Sequence, residues 1–140
     1  MKNRQRGVTL MELLTVVTVL GILTSVSVPT YRQYVIRAQR TEAKSALMAQ
    51  AGALERCFTR FNAYNDDDCP AFDELPRTLA EGRYRLQFDG DPTAGAFTLE
   101  AVPLGGQAED TDCQTLTLDQ RGNRGVTDGA TDTAARCWSR

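Results

Sequence analysis

The chain of 140 residues contains no histidine. That removes the commonest general base and the commonest metal ligand together. A surplus of positive charge is missing too. Sixteen Lys and Arg face eighteen Asp and Glu, for a net charge of −2, and that argues against a generally basic nucleic-acid binder. Three of the sixteen positive charges, Lys2, Arg4 and Arg6, sit at the N-terminus, so the rest of the chain is more acidic still. There is no Cys-x-x-Cys pair, no Gly-x-Ser-x-Gly and no phosphate loop. The residues therefore offer no catalytic constellation, metal centre or cofactor cradle, and the reading is a protein that is not an enzyme.

What is present begins at the N-terminus. The basic leader 1–7 runs into an apolar stretch, 8–28, of about 21 residues, which as a helix is roughly 31 Å long and matches a bilayer core. Its Thr and Ser hydroxyls are expected to bond back to helix carbonyls. One carboxylate, Glu12, sits near the start of this stretch, and an ionisable group in such a setting is functional by default. The basic leader is expected to stay in the cytoplasm, which places the remainder outside. Pro29 lacks an N–H and predicts a kink or break, and Gly21 loosens the helix one to two turns earlier. The four cysteines, Cys57, Cys69, Cys113 and Cys137, are dispersed. Beside a membrane-targeting segment they read as two disulfides formed in an oxidising compartment. Three connectivities are open, with Cys57 to Cys69 the local choice. That bridge would staple a short loop to the end of the helix, and a Cys113 to Cys137 bridge would enclose a longer one.

The block Arg6-Gly7-Val8-Thr9-Leu10-Met11-Glu12-Leu13-Leu14 resembles the prepilin motif of the type IV pilin family. The resemblance implies cleavage after Gly7 by a prepilin peptidase and N-methylation of the new first residue, Val8. The family usually has Phe there, so Val8 is a departure. Glu12 falls on the family's fifth mature residue, whose expected role is subunit assembly through a neighbour's free amino terminus. Gly21 and Pro29 match the loosening and kinking positions of the pilin stalk, and Tyr31 and Tyr34 fall where pilins often carry Tyr. The implied fold is α+β. A long N-terminal helix spans the membrane with its first half and packs its second half on a small antiparallel sheet, ahead of a C-terminal disulfide loop. Three segments follow: the leader 1–7, a membrane-spanning or filament-core helix 8–28, and 29–140 as amphipathic helix plus periplasmic head.

Past Pro29 the helix is expected to reach about Asn62. Ile36, Ala43, Leu47, Ala51, Leu54, Phe58 and Phe61 keep helical spacing, while Arg37, Arg40, Lys44 and Glu55 decorate other faces. Residues 62–82 read as a connecting loop. Its run Asn65-Asp66-Asp67-Asp68 lacks the ligand spacing of a calcium loop and reads as solvated. Strands are expected over 83–88, 96–102 and 114–119. Tyr84, Leu86, Phe88, Phe97, Leu99, Ala101, Leu116 and Leu118 are placed to face the helix. Residues 121–133 read as an ordered loop, closed by Cys137 and Trp138.

The segment 113–122, taken with Cys137-Trp138, resembles the C-terminal disulfide loop of PilE-type minor pilins. The implied function is a minor structural subunit of a type IV pilus, helping to initiate or connect the fibre for motility, adhesion or DNA uptake. The implied partners are other pilins, prepilin peptidase and the inner-membrane assembly machinery. The implied location is the inner membrane, with the head in the periplasm, and then the pilus outside the cell. A second reading is a pilin that captures DNA. Its candidate contacts are Arg121, Arg124, Arg136 and Arg140, which Asp110, Asp112, Asp119, Asp128 and Asp132 intersperse. A third is a type II secretion pseudopilin.

Overall fold

The structure is a computed structural model that describes residues 7–127 and 129–139. The leader residues Lys2, Arg4 and Arg6, together with Asp128 and Arg140, lie outside the described residues, as does the side chain of Pro29. The chain forms two compact units that divide between Val35 and Ile36.

Helix α1, Leu10–Phe61, crosses that division. It begins where the Thr9 hydroxyl accepts the Glu12 N–H at 3.2 Å, an N-cap that engages one of the orphan donors of the first turn. Thr18, Thr24 and Ser25 return their hydroxyls to the carbonyls of Leu14, Leu20 and Ile22 at 2.7, 2.9 and 2.7 Å, as their apolar surroundings require. Of the kink or break expected at Pro29, a break does not occur: the helix continues through position 29 to Phe61, as its apolar spacing predicts. Proline removes a single donor, whereas renucleating a helix costs far more than propagating one. The helix stops where Asn62 turns left-handed, at φ 57°, while its N–H donates to the Phe58 carbonyl at 2.8 Å.

The head is an antiparallel meander of five strands, in order β1-β2-β3-β4-β5. The strands are β1 Arg77–Thr78, β2 Tyr84–Phe88, β3 Thr98–Pro103, β4 Leu116–Asp119 and β5 Arg124–Val126. Helix α2, Pro70–Asp73, precedes β1, and helix α3, Ala134–Ser139, follows β5. The three strands expected from alternation are β2, β3 and β4. Two further strands correct the loop readings of 62–82 and 121–133. β1 has two residues and β5 three, too few to display a period of two. Register fixes the core: Leu86 pairs with Ala101 and Ala101 with Leu116, so one face stacks three apolar residues across the sheet. That face is buried with Ala43, Leu47 and Leu54 of α1.

Glycine is needed at two points of the β4–β5 hairpin. Gly122 takes φ 78° in the turn. A Cβ added at Gly125 would overlap the Thr117 hydroxyl of the paired strand. Gly125→Ala is therefore expected to destabilise the head by about 1–3 kcal/mol, the usual cost of overpacking. Thr117→Ala in the same chain should restore much of that loss in a denaturant titration.

Candidate functional site

Gly7, Val8 and Thr9 lie just ahead of α1 in non-helical, exposed backbone. The Gly7–Val8 bond is therefore open to a protease without unwinding a helix. Glu12 is exposed in the first turn of α1. A carboxylate there complements the positive end of the helix dipole. Thr9 at the cap and Glu12 three residues on form the Thr-x-x-Glu pattern of a capping box, a signal present in the sequence that the apolar reading passed over. Among the described residues Glu12 has no ion-pair partner. From Leu10 to Leu23 every large apolar side chain is more than half exposed. This half of α1 is long and apolar enough to cross a membrane, judged by length and composition. A Cβ at Gly21 would meet nothing within 4 Å in the isolated chain.

The head carries two disulfides, Cys57–Cys69 with Cα atoms 5.6 Å apart and Cys113–Cys137 with Cα atoms 5.7 Å apart. The first ties the last turns of α1 to the start of α2. The second ties the approach to β4 to α3. Around that second bridge lies a polar cluster that the helical pattern placed on the outside. Arg40 is buried and forms a forked pair with buried Asp110, with Nη2 at 2.7 Å from Oδ1 and Nε at 3.0 Å from Oδ2. Buried Lys44 donates from Nζ toward the carbonyls of Cys137 and Trp138 at 3.3 and 3.4 Å, which caps the C-terminal end of α3. Burial, then the nearby charges of Arg40 and Arg124, push the Lys44 ammonium below its usual range.

Arg40 and Lys44 thus correct the expectation that they decorate other faces. The elements opposite this part of α1 present a carboxylate and helix-end carbonyls rather than an apolar sheet face. Gln107 completes the cluster, donating from Nε2 to the Tyr84 hydroxyl at 2.9 Å and to the Ile36 carbonyl at 3.2 Å. No buried side-chain polar atom among the described residues lacks a partner. Arg37 and Glu55 are exposed, as expected.

Two buried tyrosines are expected to make the head sensitive to alkali. Burial pushes Tyr84 up to about 12, against the opposing hydrogen bond from Gln107. Burial, and then the hydrogen bond to Glu55, push Tyr64 up to about 12. A raised folded pKa means stability that is fully present below the unfolded value of about 10 and is lost as pH rises through about 12. The urea midpoint of the full chain is expected to fall across pH 10–12, and Tyr84→Phe should make that fall shallower.

Of the arginines considered for DNA, Arg136 and Arg124 are engaged by other side chains of the head. Arg136 pairs with Asp132 at 3.0 Å. Arg124 lies over the Trp138 ring at 5.3 Å, and Trp138 Nε1 donates to the Gly125 carbonyl at 3.0 Å. At Arg121 it is the backbone N–H, not the guanidinium, that donates to Asp119, which also accepts from Asn123. Burial acts to raise the Asp119 carboxyl, but these donors and the Arg121 charge together hold it below its usual range. In the acidic loop, Asp66 accepts the Asp68 N–H at 3.0 Å. Among the described residues no group of three His, Cys, Asp or Glu is arranged to hold a metal.

Comparison with known proteins agrees with this architecture. Residues 2–28 match the family described as the prokaryotic N-terminal methylation motif. Residues 29–117, well over half the chain, match the family described as "Type IV minor pilin ComP, DNA uptake sequence receptor". The fimbrial protein EcpC of Eikenella corrodens is 34% identical over 71 residues, which are 51% of this chain and 46% of that one. The type IV major pilin PilE1 of Neisseria gonorrhoeae is 31% identical over 84 residues, 60% of this chain and 51% of that one. The chain thus spans about half the length of the curated relatives it matches. The non-core minor pilin PilV of Neisseria meningitidis shares the fold at TM-score 0.55 and 18% identity, covering 72% of this chain and 94% of that one. A long capped N-terminal helix, an antiparallel meander, a C-terminal disulfide loop and these matches lead to one assignment: the chain belongs to the type IV minor pilin ComP family.

Proposed function

We propose that the chain is a minor structural subunit of a type IV pilus. It is anchored in the inner membrane by the first half of α1, with its head in the periplasm, and then moves into the fibre. Prepilin peptidase cuts after Gly7 and methylates Val8, and Glu12 docks on the Val8 amine of a neighbouring pilin. The observation that carries this reading is the exposed apolar surface of α1 behind an accessible Gly7–Val8 bond. So large an apolar surface on one chain requires lipid or the helices of other subunits around it. Gly21 and Pro29 supply the stretch that loosens on assembly. Other pilins and the inner-membrane assembly machinery are the partners. The test is deletion of the gene with recovery of sheared fibres: the chain is expected in wild-type fibres, and its loss should reduce their number. Absence from the sheared fraction would sink the reading.

DNA capture is a second role, favoured by the description of the matched family. The match over 29–117 stops before Arg121, Arg124 and Arg136. Within it, Arg83 and Arg85 are exposed beside and on β2. Full-length chain in nonionic detergent is expected to bind duplex DNA with affinity that falls steeply as salt rises. Arg83→Ala with Arg85→Ala should weaken binding more than Arg121→Ala with Arg124→Ala. No binding above background at low salt would remove this role and leave the structural one intact.

A further inference from the structure

A hollow of about 450 Å³ opens where the edge of the sheet meets α2. Its floor is half-buried Phe72, Leu75, Phe88 and Pro92, and exposed Asp73 and Asp91 line its mouth. The Phe72 and Phe88 ring centroids are 5.7 Å apart. Neither aspartate is in an ion pair among the described residues.

The sheet edge is incomplete at the same place. The Leu79 N–H donates to the Tyr84 carbonyl at 2.9 Å, and Arg77 pairs with Leu86. Alternate residues of β2 therefore turn their backbone groups toward β1. Phe88 is next in that series, and its partner in register would be Leu75. The Leu75 N–H donates instead to the Phe72 carbonyl at 3.3 Å, and no backbone hydrogen bond among the described residues joins Leu75 to Phe88. An open rung, an apolar floor and two unpaired carboxylates thus meet in one hollow.

We propose that this hollow is a docking site for an extended, basic peptide segment of a partner protein. One residue of the segment adds a rung to the sheet at Phe88. Its apolar neighbour rests on Phe72 and Phe88, and a Lys or Arg head meets Asp73 and Asp91. Backbone pairing at a sheet edge supplies affinity, while side chains and charge supply selection. The acidic mouth repels phosphate, so the site is separate from any DNA-binding surface and does not depend on it.

The test uses full-length chain in nonionic detergent and fluorescence anisotropy of labelled peptides. The probe is Val-Lys-Val-Lys-Val, with Val-Glu-Val-Glu-Val and a centrally N-methylated Lys peptide as comparisons. The Lys peptide is expected to bind about tenfold or more tighter than the Glu peptide. Asp73→Asn with Asp91→Asn should remove that preference, and N-methylation should weaken binding about fivefold or more, because it deletes a backbone donor. Both substitutions are at exposed positions, and near-wild-type circular dichroism will show that the variant is folded. Equal binding of the Lys and Glu peptides, or a Lys preference that survives the double substitution, overturns the proposal. So does binding that ignores N-methylation.

Discussion

Arg40→Ala is expected to destabilise the head by about 3–5 kcal/mol, because it leaves the buried Asp110 carboxylate without its counter-charge. The pair is forked, with side chains only 7% and 2% exposed. Truncation to alanine leaves Asp110 facing an unfilled space in the contact between α1 and the segment leading to Cys113. Asp110→Ala should cost a similar amount by stranding Arg40. The two losses should not add, since either one removes the same interaction. Replacing both with leucine should come much closer to wild type, as buried ion pairs often exchange for apolar pairs at little net cost. Denaturant titration of the full-length chain, followed by the fluorescence of Trp138, reads all four proteins. Equal stability of Arg40→Ala and wild type would show that the pair is not closed in solution.

This pair also marks what the sequence did not disclose. Leu47, Leu54, Leu86, Leu99 and Leu116 declare themselves, because an apolar residue at period 3.6 or 2 has one sensible place to go. Arg40 and Lys44 continue the same helical stripe, but a charged residue carries no mark that separates a buried partner from a solvated face. The partners are 70 residues away for Arg40 and 93 for Lys44. Only the folded topology brings them together. α2, β1 and β5 were hidden for a different reason, since a helix of one turn and strands of two or three residues have no period to read. The turn at Asp119 did leave a trace in Gly122-Asn123, which predicts a hairpin once a strand is allowed on its far side. At the N-terminus the position is reversed. Gly7, Val8 and Glu12 form a local motif that is legible without any fold. The reason for Glu12 is less legible, because its partner is proposed to lie on another subunit.

Glu12→Val is expected to reduce recovery of the chain in fibres on the order of a hundredfold, while leaving its level in the membrane unchanged. An apolar residue suits the bilayer better than a carboxylate does, so anchoring does not suffer. What is lost is the charge proposed to meet the Val8 amine of a neighbour in a dry helical bundle. Removing one partner of such a pair costs about 3–5 kcal/mol, and each 1.4 kcal/mol is about a factor of ten in the equilibrium. Glu12→Gln should behave similarly, because an amide keeps the shape and loses the charge. Glu12→Asp should retain part of the wild-type recovery. Comparable recovery of Glu12→Val and wild type would remove Glu12 from assembly and reduce it to a cap of α1.

The central claim is that a cut after Gly7 turns a membrane-anchored precursor into a fibre subunit. Intact-mass and N-terminal mass spectrometry of the chain recovered from sheared fibres tests it directly. The mature chain is expected to begin at Val8 and to carry one methyl group on its amine. Recovery from those fibres of a chain that still carries residues 1–7 would contradict it.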